Sequence, residues 1–222
     1  MTGRLSIELL TTDAEFERMV KLAMVEKLNV LLRRSLPDFK RRISPFIYNA
    51  LIKSPVYRDI LVGDLSAELG FRRGQEERFI NGIIKALSEE YILEFKPLSL
   101  SATGDITGGI EVKIIQADLK DILSHPLAFI KTKKQKLHWL DWLLTWGDRI
   151  VVRDYSIVFK QTRRSRSEFA IMVKSKFSPF WRVPPQFSGT LDNNWITRAL
   201  EKANVEADIT NLFYEYLKKA VR

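Results

Sequence analysis

The chain contains no cysteine. This absence excludes disulfide bonds, thiolate zinc sites and cysteine nucleophiles, and it is typical of proteins made in a reducing cytoplasm. Histidine is almost as scarce, because His125 and His138 are the only two in 222 residues, and no carboxylate stands at a metal-binding spacing from either one. The sequence therefore predicts a protein without a bound metal ion.

Long apolar runs and catalytic motifs are also missing. No run approaches the roughly 18 residues of a membrane span, and the N-terminus lacks the apolar core of a signal peptide. The chain has no nucleophile elbow, and Gly104, Gly108 and Gly109 are too loosely spaced, and too far from a following long helix, to cradle a nucleotide. We expect a soluble protein that does not contact membranes, binds no cofactor and catalyses no reaction.

The residues that are present predict an α+β fold whose N-terminal half is mainly helical. Thr12 and Glu15 form a capping box before a stripe of apolar residues at helical spacing. We expect Pro37 to end this long first helix, and Ser44 with Pro45 to cap and begin a second one. The stripe consists of Phe16, Val20, Met24, Leu28 and Leu31.

Shorter helices follow, and two of the segments have the outline of a helix-turn-helix unit. They are residues 54–71 and an amphipathic helix expected over 75–90. This outline makes a DNA-binding regulator one alternative function. Glu76 and Glu77 would open the recognition helix, however, where carboxylates face the phosphates of DNA. The pattern therefore favours structural packing of these helices.

The composition changes near residue 95, where prolines, serines and glycines mark a loop. We take this change as the boundary between a helical part, 1–95, and a strand-rich part, 96–222, which form either two domains or one integrated domain. Within the second part, a tryptophan-dense helix over 137–146 must be nearly surrounded by other residues. We expect Asp192 to cap a helix that begins at Asn193, and a last amphipathic helix to follow it.

A basic hairpin is expected over 149–175. Apolar residues alternate on both sides of its loop, as in half-buried antiparallel strands. The loop carries Arg163, Arg164 and Arg166 and no large apolar residue, so we expect a cationic tip that protrudes from the core. Nine basic residues stand against two acidic ones over 149–182. Such an excess attracts phosphates or an acidic protein surface, and its alternative role is a solvated loop.

An extended aromatic arm is expected over 176–190. Its adjacent prolines, Pro184 and Pro185, deny the segment both helical and central-strand hydrogen bonding. Aromatic surface of this size covers either the sheet of the same chain or a neighbouring subunit. The residues predicted to contact a neighbouring subunit are Trp181, Val183, Phe187 and Trp195.

Four segments, in the same order, resemble a family of virion structural proteins encoded near the tail genes of tailed bacteriophages. They read LIKSPVYRDILVGDLSAELGF, LHWLDWLLTWGDRIVVRDYSIVF, FAIMVKS with the serine and arginine before it, and FWRVPPQFSGTLDNNWITRAL. The resemblance covers nearly the whole chain and is most specific over 165–172 and 181–200. This chain departs from the family at Glu168, where members tend to have glycine.

The resemblance implies a neck or tail-completion protein. Such proteins assemble as a ring at the head-to-tail junction, here a hexamer or a dodecamer, which joins the portal side to the tail and lines or seals the DNA channel. The implied partners are copies of the same chain, portal or adaptor proteins, tail proteins and, without sequence preference, the genomic DNA. A tail or baseplate component is the alternative within the virion, and assembly is expected in the host cytoplasm.

Overall fold

The predicted α+β fold is confirmed in a computed structural model of the chain. The structure describes residues 12–114, 119–132, 135–163, 165–175, 177 and 179–221. Its helices are α1 Asp13–Ile52, α2 Pro55–Val62, α3 Leu65–Glu68, α4 Glu76–Glu89, α5 Lys120–Ser124, α6 Trp139–Leu144, α7 Trp195–Lys202 and α8 Val205–Val221. None of these helices is both long enough and apolar enough to cross a bilayer.

The strands form small sheets of two strands each. Among the described residues, β1 is hydrogen-bonded to β2, β3 to β4, β5 to β8, and β6 to β7. Their bounds are β1 Ile92–Leu100, β2 Ile106–Lys113, β3 Ile130–Lys131, β4 Lys136–Leu137, β5 Val152–Arg153, β6 Tyr155–Phe159, β7 Ala170–Lys174 and β8 Phe180–Trp181.

The chain folds into two compact units, each made of segments distant in sequence. The first comprises the described parts of Met1–Lys40, Leu93–Val112 and Asn211–Arg222. The second comprises Arg41–Ile92 and the described parts of Lys113–Thr210. The predicted boundary at residue 95 does not separate these units, because each unit contains residues from both sides of it.

The first helix does not end at Pro37, as the sequence predicted, but continues through both prolines to Ile52. A proline inside a helix costs about 3 kcal/mol, because it removes one hydrogen bond and crowds the preceding turn. Burial of each large apolar side chain contributes roughly 1.5 to 3 kcal/mol, so a continuous buried stripe outweighs both prolines. The stripe runs through Val25, Leu28, Leu32, Phe39, Ile43, Ile47, Ala50 and Leu51.

In the first unit, polar side chains of α1 hold the β1–β2 hairpin along the helix. The amide of Asn29 donates to the carbonyl of Leu98 at 2.8 Å and accepts from its N–H at 2.7 Å, as a neighbouring strand would. One turn later, the Arg33 guanidinium lies over the ring of Phe95, 5.8 Å from its centre. Asn29 pairs with the strand through its side chain, so the apolar periodicity of the sequence does not predict this contact.

Candidate functional site

The predicted hairpin is present as β6 and β7, paired in antiparallel register. Ser156 lies opposite Val173, and Phe159 lies opposite Ala170. The hairpin loop, residues 160–169, is closed by a hydrogen bond from the Lys160 N–H to the Phe169 carbonyl at 2.9 Å. Its strands lie within the predicted range 149–175, but the hairpin begins only at Tyr155, because Val152 and Arg153 pair with β8 instead.

The loop does not protrude as a free tip, because the second unit holds it at three points. The Arg73 N–H donates to the Arg166 carbonyl at 3.4 Å, and the Arg73 guanidinium pairs with the Glu168 carboxylate at 2.9 Å. The Arg166 guanidinium donates to the Lys131 carbonyl at 3.1 Å. The cationic loop is therefore fixed against the α3–α4 connection and β3.

These contacts gather cations from three parts of the chain into one patch, which we call the basic surface. Contacts connect Arg72, Arg73, Lys131, Lys136 and Arg166. Arg163 is included because it is an exposed residue of the same loop. Partial burial, with the nearby charge of Arg72, lowers the pKa of Arg166. The sequence did not associate Arg72 and Arg73 with the loop, because the two segments are more than 90 residues apart.

The three predicted contact arginines have different environments. Arg163 is exposed, whereas Arg166 is half-buried and holds the loop in place. Arg164 lies outside the described residues. Of the described arginines in the loop, Arg163 has the most surface to offer to a partner.

Glu168 occupies a backbone conformation that favours glycine. Its φ is 62°, in the left-handed region, where a side chain costs roughly 1 to 2 kcal/mol. A glycine at this position would avoid that cost, because it has no Cβ. In this chain the carboxylate pairs with Arg73 instead.

We expect Glu168→Gly to be more stable than Glu168→Ala by about 1 kcal/mol. Both variants lose the ion pair with Arg73, so their difference isolates the backbone strain. Urea denaturation of the two variants measures it. An alanine variant as stable as the glycine variant would show that the strain at this position is negligible.

Below the loop lies a cavity of about 660 Å³, which we call the tryptophan cavity. Trp142 lies in its wall, with its ring centre 6.4 Å from that of Trp146 and 5.9 Å from that of Trp181. Lys136 and Arg166 of the basic surface border the same cavity. A volume of this size matches the roughly 300 to 1,000 Å³ of small-ligand sites.

Glu68, at the end of α3, faces this cavity. Burial raises the pKa of its carboxyl group to about 7, and the carboxylates of Asp64 and Asp59 add to the rise. The indole N–H of Trp181 is close enough to offset part of it. Even so, neither Trp181 Nε1 nor Glu68 Oε2 reaches hydrogen-bond geometry with any group of the described chain. Glu68 is thus a carboxyl group that is partly protonated at neutral pH.

We expect the stability of the protein to fall as the pH rises from about 4.5 to about 7, and Glu68→Gln to reduce this fall. The pKa of Glu68 is higher in the folded chain, so the folded chain binds more protons in this window and loses that advantage as the pH rises. Denaturation midpoints at several pH values measure the effect. Glu89→Gln, at an exposed position of α4, is the control. Parallel pH profiles for wild type and Glu68→Gln would contradict the assignment.

The aromatic arm packs within its own chain. All four side chains predicted to contact a neighbouring subunit are buried in the second unit: Trp181, Val183, Phe187 and Trp195. Of the two alternatives for the arm, the structure supports burial against its own core, and these side chains leave at most 8% of their surface for a neighbour. Phe177 and Phe180 of the same arm are exposed instead, Phe177 by 93%.

The described residues include no cluster of three metal-ligating side chains. Comparisons of the chain with protein-family models, with curated proteins and with solved structures find no match.

Proposed function

We propose that this chain is a structural subunit of a tailed-phage virion, a neck ring protein that joins the portal side to the tail. One observation carries the proposal: apolar side chains that an isolated protein would bury are exposed on the hairpin and on the start of α1. Patches of this kind mark protein–protein contacts.

The hairpin exposes apolar residues on both faces. The register places Val158 and Val173 on one face and Phe159 and Met172 on the other, and all four are exposed. In the described chain, β6 and β7 are hydrogen-bonded only to each other as a sheet. A two-stranded sheet is marginally stable by itself, and its edges readily pair with another chain. A neighbouring subunit would cover both the faces and an edge.

The first turns of α1 are equally uncovered. Phe16, Met19 and Val20 are all exposed, Phe16 by 55%. They lie before the buried stripe of the helix, which begins at Val25. Of the apolar stripe predicted for this helix, Phe16, Val20 and Met24 are exposed, and burial begins only at Leu28. In a ring, these turns would lie against an adjacent copy.

The basic surface suits an electrostatic contact without sequence preference. Its exposed members lie on loops and short strands, whereas sequence-specific readers insert a helix or ribbon into a groove. The regulator alternative has weaker support, because α3 has only four residues and α4 opens with Glu76 and Glu77. Genomic DNA in the channel and an acidic surface of the next ring are the two partners that fit.

The mechanism that we propose is assembly without chemistry. A ring of one chain needs head-to-tail contacts that close on themselves, so two different patches of each copy must meet. The hairpin and the start of α1 supply two such patches. The completed ring would dock on the portal side, offer a platform to the tail and surround the DNA. A tail or baseplate ring would use the same patches at another place in the particle.

A nonsense mutation in the gene tests this function. In a nonpermissive host we expect filled heads and complete tails that remain unjoined, as counted by electron microscopy, and joining restored by wild-type protein added to the lysate. Normal joined particles would exclude the proposal. Heads without any tails would instead favour the tail or baseplate alternative.

A further inference from the structure

The first two turns of α1 carry acidic and apolar side chains on one face of the helix. Successive residues of a helix are rotated by about 100°, so apolar positions three and four apart form one stripe. Asp13 and Glu17 lie on one side of this stripe, and Glu15 lies on the other. These acids and the stripe are all exposed, and we call them together the acidic helix face. The stripe consists of Phe16, Met19 and Val20.

Basic side chains do not neutralise the acidic helix face. The only base between Asp13 and Val20 is Arg18, which lies on the opposite side of the helix, about 200° from Phe16. In the next turn, Lys21 donates to the Gly104 carbonyl at 3.3 Å and pairs with Glu17 at 2.7 Å. The side chain of Glu17 nevertheless remains 67% exposed. The face therefore presents negative charge beside uncovered apolar surface.

The hairpin has an uncovered apolar face of its own. One of its two faces, with Ile157 and Met172, borders the tryptophan cavity. The register places Val158 and Val173 on the other face, where both are exposed. Alternation along β7 puts the exposed Phe169 on this face as well. We call it the outer hairpin face.

The charges around the outer hairpin face are mainly positive. Arg153, Lys160 and Lys174 are exposed at the two ends of the hairpin, against one exposed acid, Asp154. Each strand of a two-stranded sheet is an edge, and the long stem of a lysine can bring its ammonium group to either face. The outer hairpin face therefore has the charge that complements the acidic helix face.

The two faces also agree in length. Residues 13–20 of a helix span about 11 Å, and the five paired residues of each hairpin strand span about 13 Å. A helix commonly buries its apolar stripe against the face of a sheet. Each copy of the chain carries both faces uncovered, so a second copy supplies the complement of each.

We propose that the acidic helix face of one copy docks on the outer hairpin face of the next copy. The apolar stripe of the helix covers the apolar side chains of the hairpin, while Asp13 and Glu17 meet Lys160 and Lys174. The contact is head-to-tail, because it joins two different surfaces. It rests on the proposed function in one respect, since it specifies how adjacent subunits of the ring meet.

Sedimentation velocity of the purified full-length chain tests the contact by charge exchange. Asp13→Lys/Glu17→Lys and Lys160→Glu/Lys174→Glu should each self-associate at least about tenfold more weakly than wild type, because like charges then meet. An equimolar mixture of the two variants should regain the wild-type association, because each reversed face then finds its complement. Both variants keep a positive net charge, since each exchange changes the wild-type value of +9 by four. Overall charge therefore does not favour the mixture.

Two control variants make the same changes of charge at exposed positions elsewhere. Glu89→Lys/Glu201→Lys is the control for the helix variant, and Lys85→Glu/Lys202→Glu is the control for the hairpin variant. Both controls should associate as the wild type does. Every variant must retain the wild-type circular dichroism spectrum.

The absence of cysteine from the chain allows a second test, of which surfaces meet. A Val20→Cys chain mixed with a Val173→Cys chain should form a disulfide-linked dimer on oxidation with copper phenanthroline. We expect this dimer to form at least about tenfold faster than the one between Val20→Cys and Val62→Cys, because a disulfide requires close approach of the two residues. Val62 is 80% exposed and belongs to neither face.

Three results would overturn the proposed contact: a wild-type chain that stays monomeric up to its solubility limit, a mixture that associates no better than its components, or equally fast cross-linking at Val62. A different protein would then be the partner of the hairpin. Normal joined particles from the nonsense mutant would instead overturn the virion role and leave this contact standing.

Discussion

Replacement of Asn194 by alanine is expected to lower the free energy of unfolding by about 3 to 5 kcal/mol. Asn194 is fully buried and caps α7, so the predicted cap at Asp192 was wrong. Its Oδ1 accepts from the N–H groups of Ile196 and Thr197 at 3.0 and 3.2 Å. Its Nδ2 donates to the carbonyls of Thr190 and Leu191 at 3.1 and 3.2 Å. Alanine would leave all four backbone groups without this partner, and the N–H of Ile196 is buried.

Denaturation in urea or guanidinium measures the loss, and two further variants identify its cause. Asn194→Asp keeps the two accepting bonds and removes the two donating ones, so an intermediate loss is expected. Asn193→Ala changes the exposed neighbour and should cost no more than about 1 kcal/mol. A loss below 1 kcal/mol for Asn194→Ala would mean that the loop before α7 satisfies these groups in another way.

Charge reversal at two exposed members of the basic surface, Arg72→Glu/Arg163→Glu, is expected to reduce joined particles at least about tenfold. The like charges that result would face either DNA phosphates or acidic side chains, and each such contact costs several kcal/mol. Neither of the two side chains anchors the loop, a role that belongs to Arg73 and Arg166. The fold should therefore remain intact.

Complementation of the nonsense mutant measures this effect, because joined particles can be counted for each variant. Lys27→Glu/Lys85→Glu, with the same change in net charge at exposed sites elsewhere, is the control and should complement fully. Complementation by Arg72→Glu/Arg163→Glu at the level of this control would show that the basic surface contacts neither partner.

Binding of the purified protein to several duplex sequences across a salt series separates the partners, since phosphate contacts weaken steeply with salt and show no preference for sequence.

Local signals in the sequence predicted much of the fold. The segment 54–71 contains the short helices that its outline indicated, α2 and α3, and alternation predicted β6 and β7. The prediction that the first helix ends at Pro37 was wrong. Burial of apolar side chains, which continues to Leu51, outweighs the local tendency of proline to end a helix. Local rules succeed where neighbours in sequence decide the structure.

The candidate site was only partly predictable, for the same reason. The arginines of the hairpin loop were identified from charge alone, but the contact with Arg73 joins residues 95 positions apart. The pKa of Glu68 depends on its burial and on the nearness of Trp181, Asp64 and Asp59, which no spacing rule reveals. The burial of Trp195 likewise depends on how the segments of the second unit pack together.

The most direct test of the central claim is the location of this chain in purified phage particles. Antibodies raised against the chain and labelled with gold should mark the head-to-tail junction, and cryo-electron microscopy of that region should show a closed ring into which this chain fits with its hairpin against the next copy. Absence of the chain from purified, joined particles would contradict the claim that it is a structural subunit of the virion.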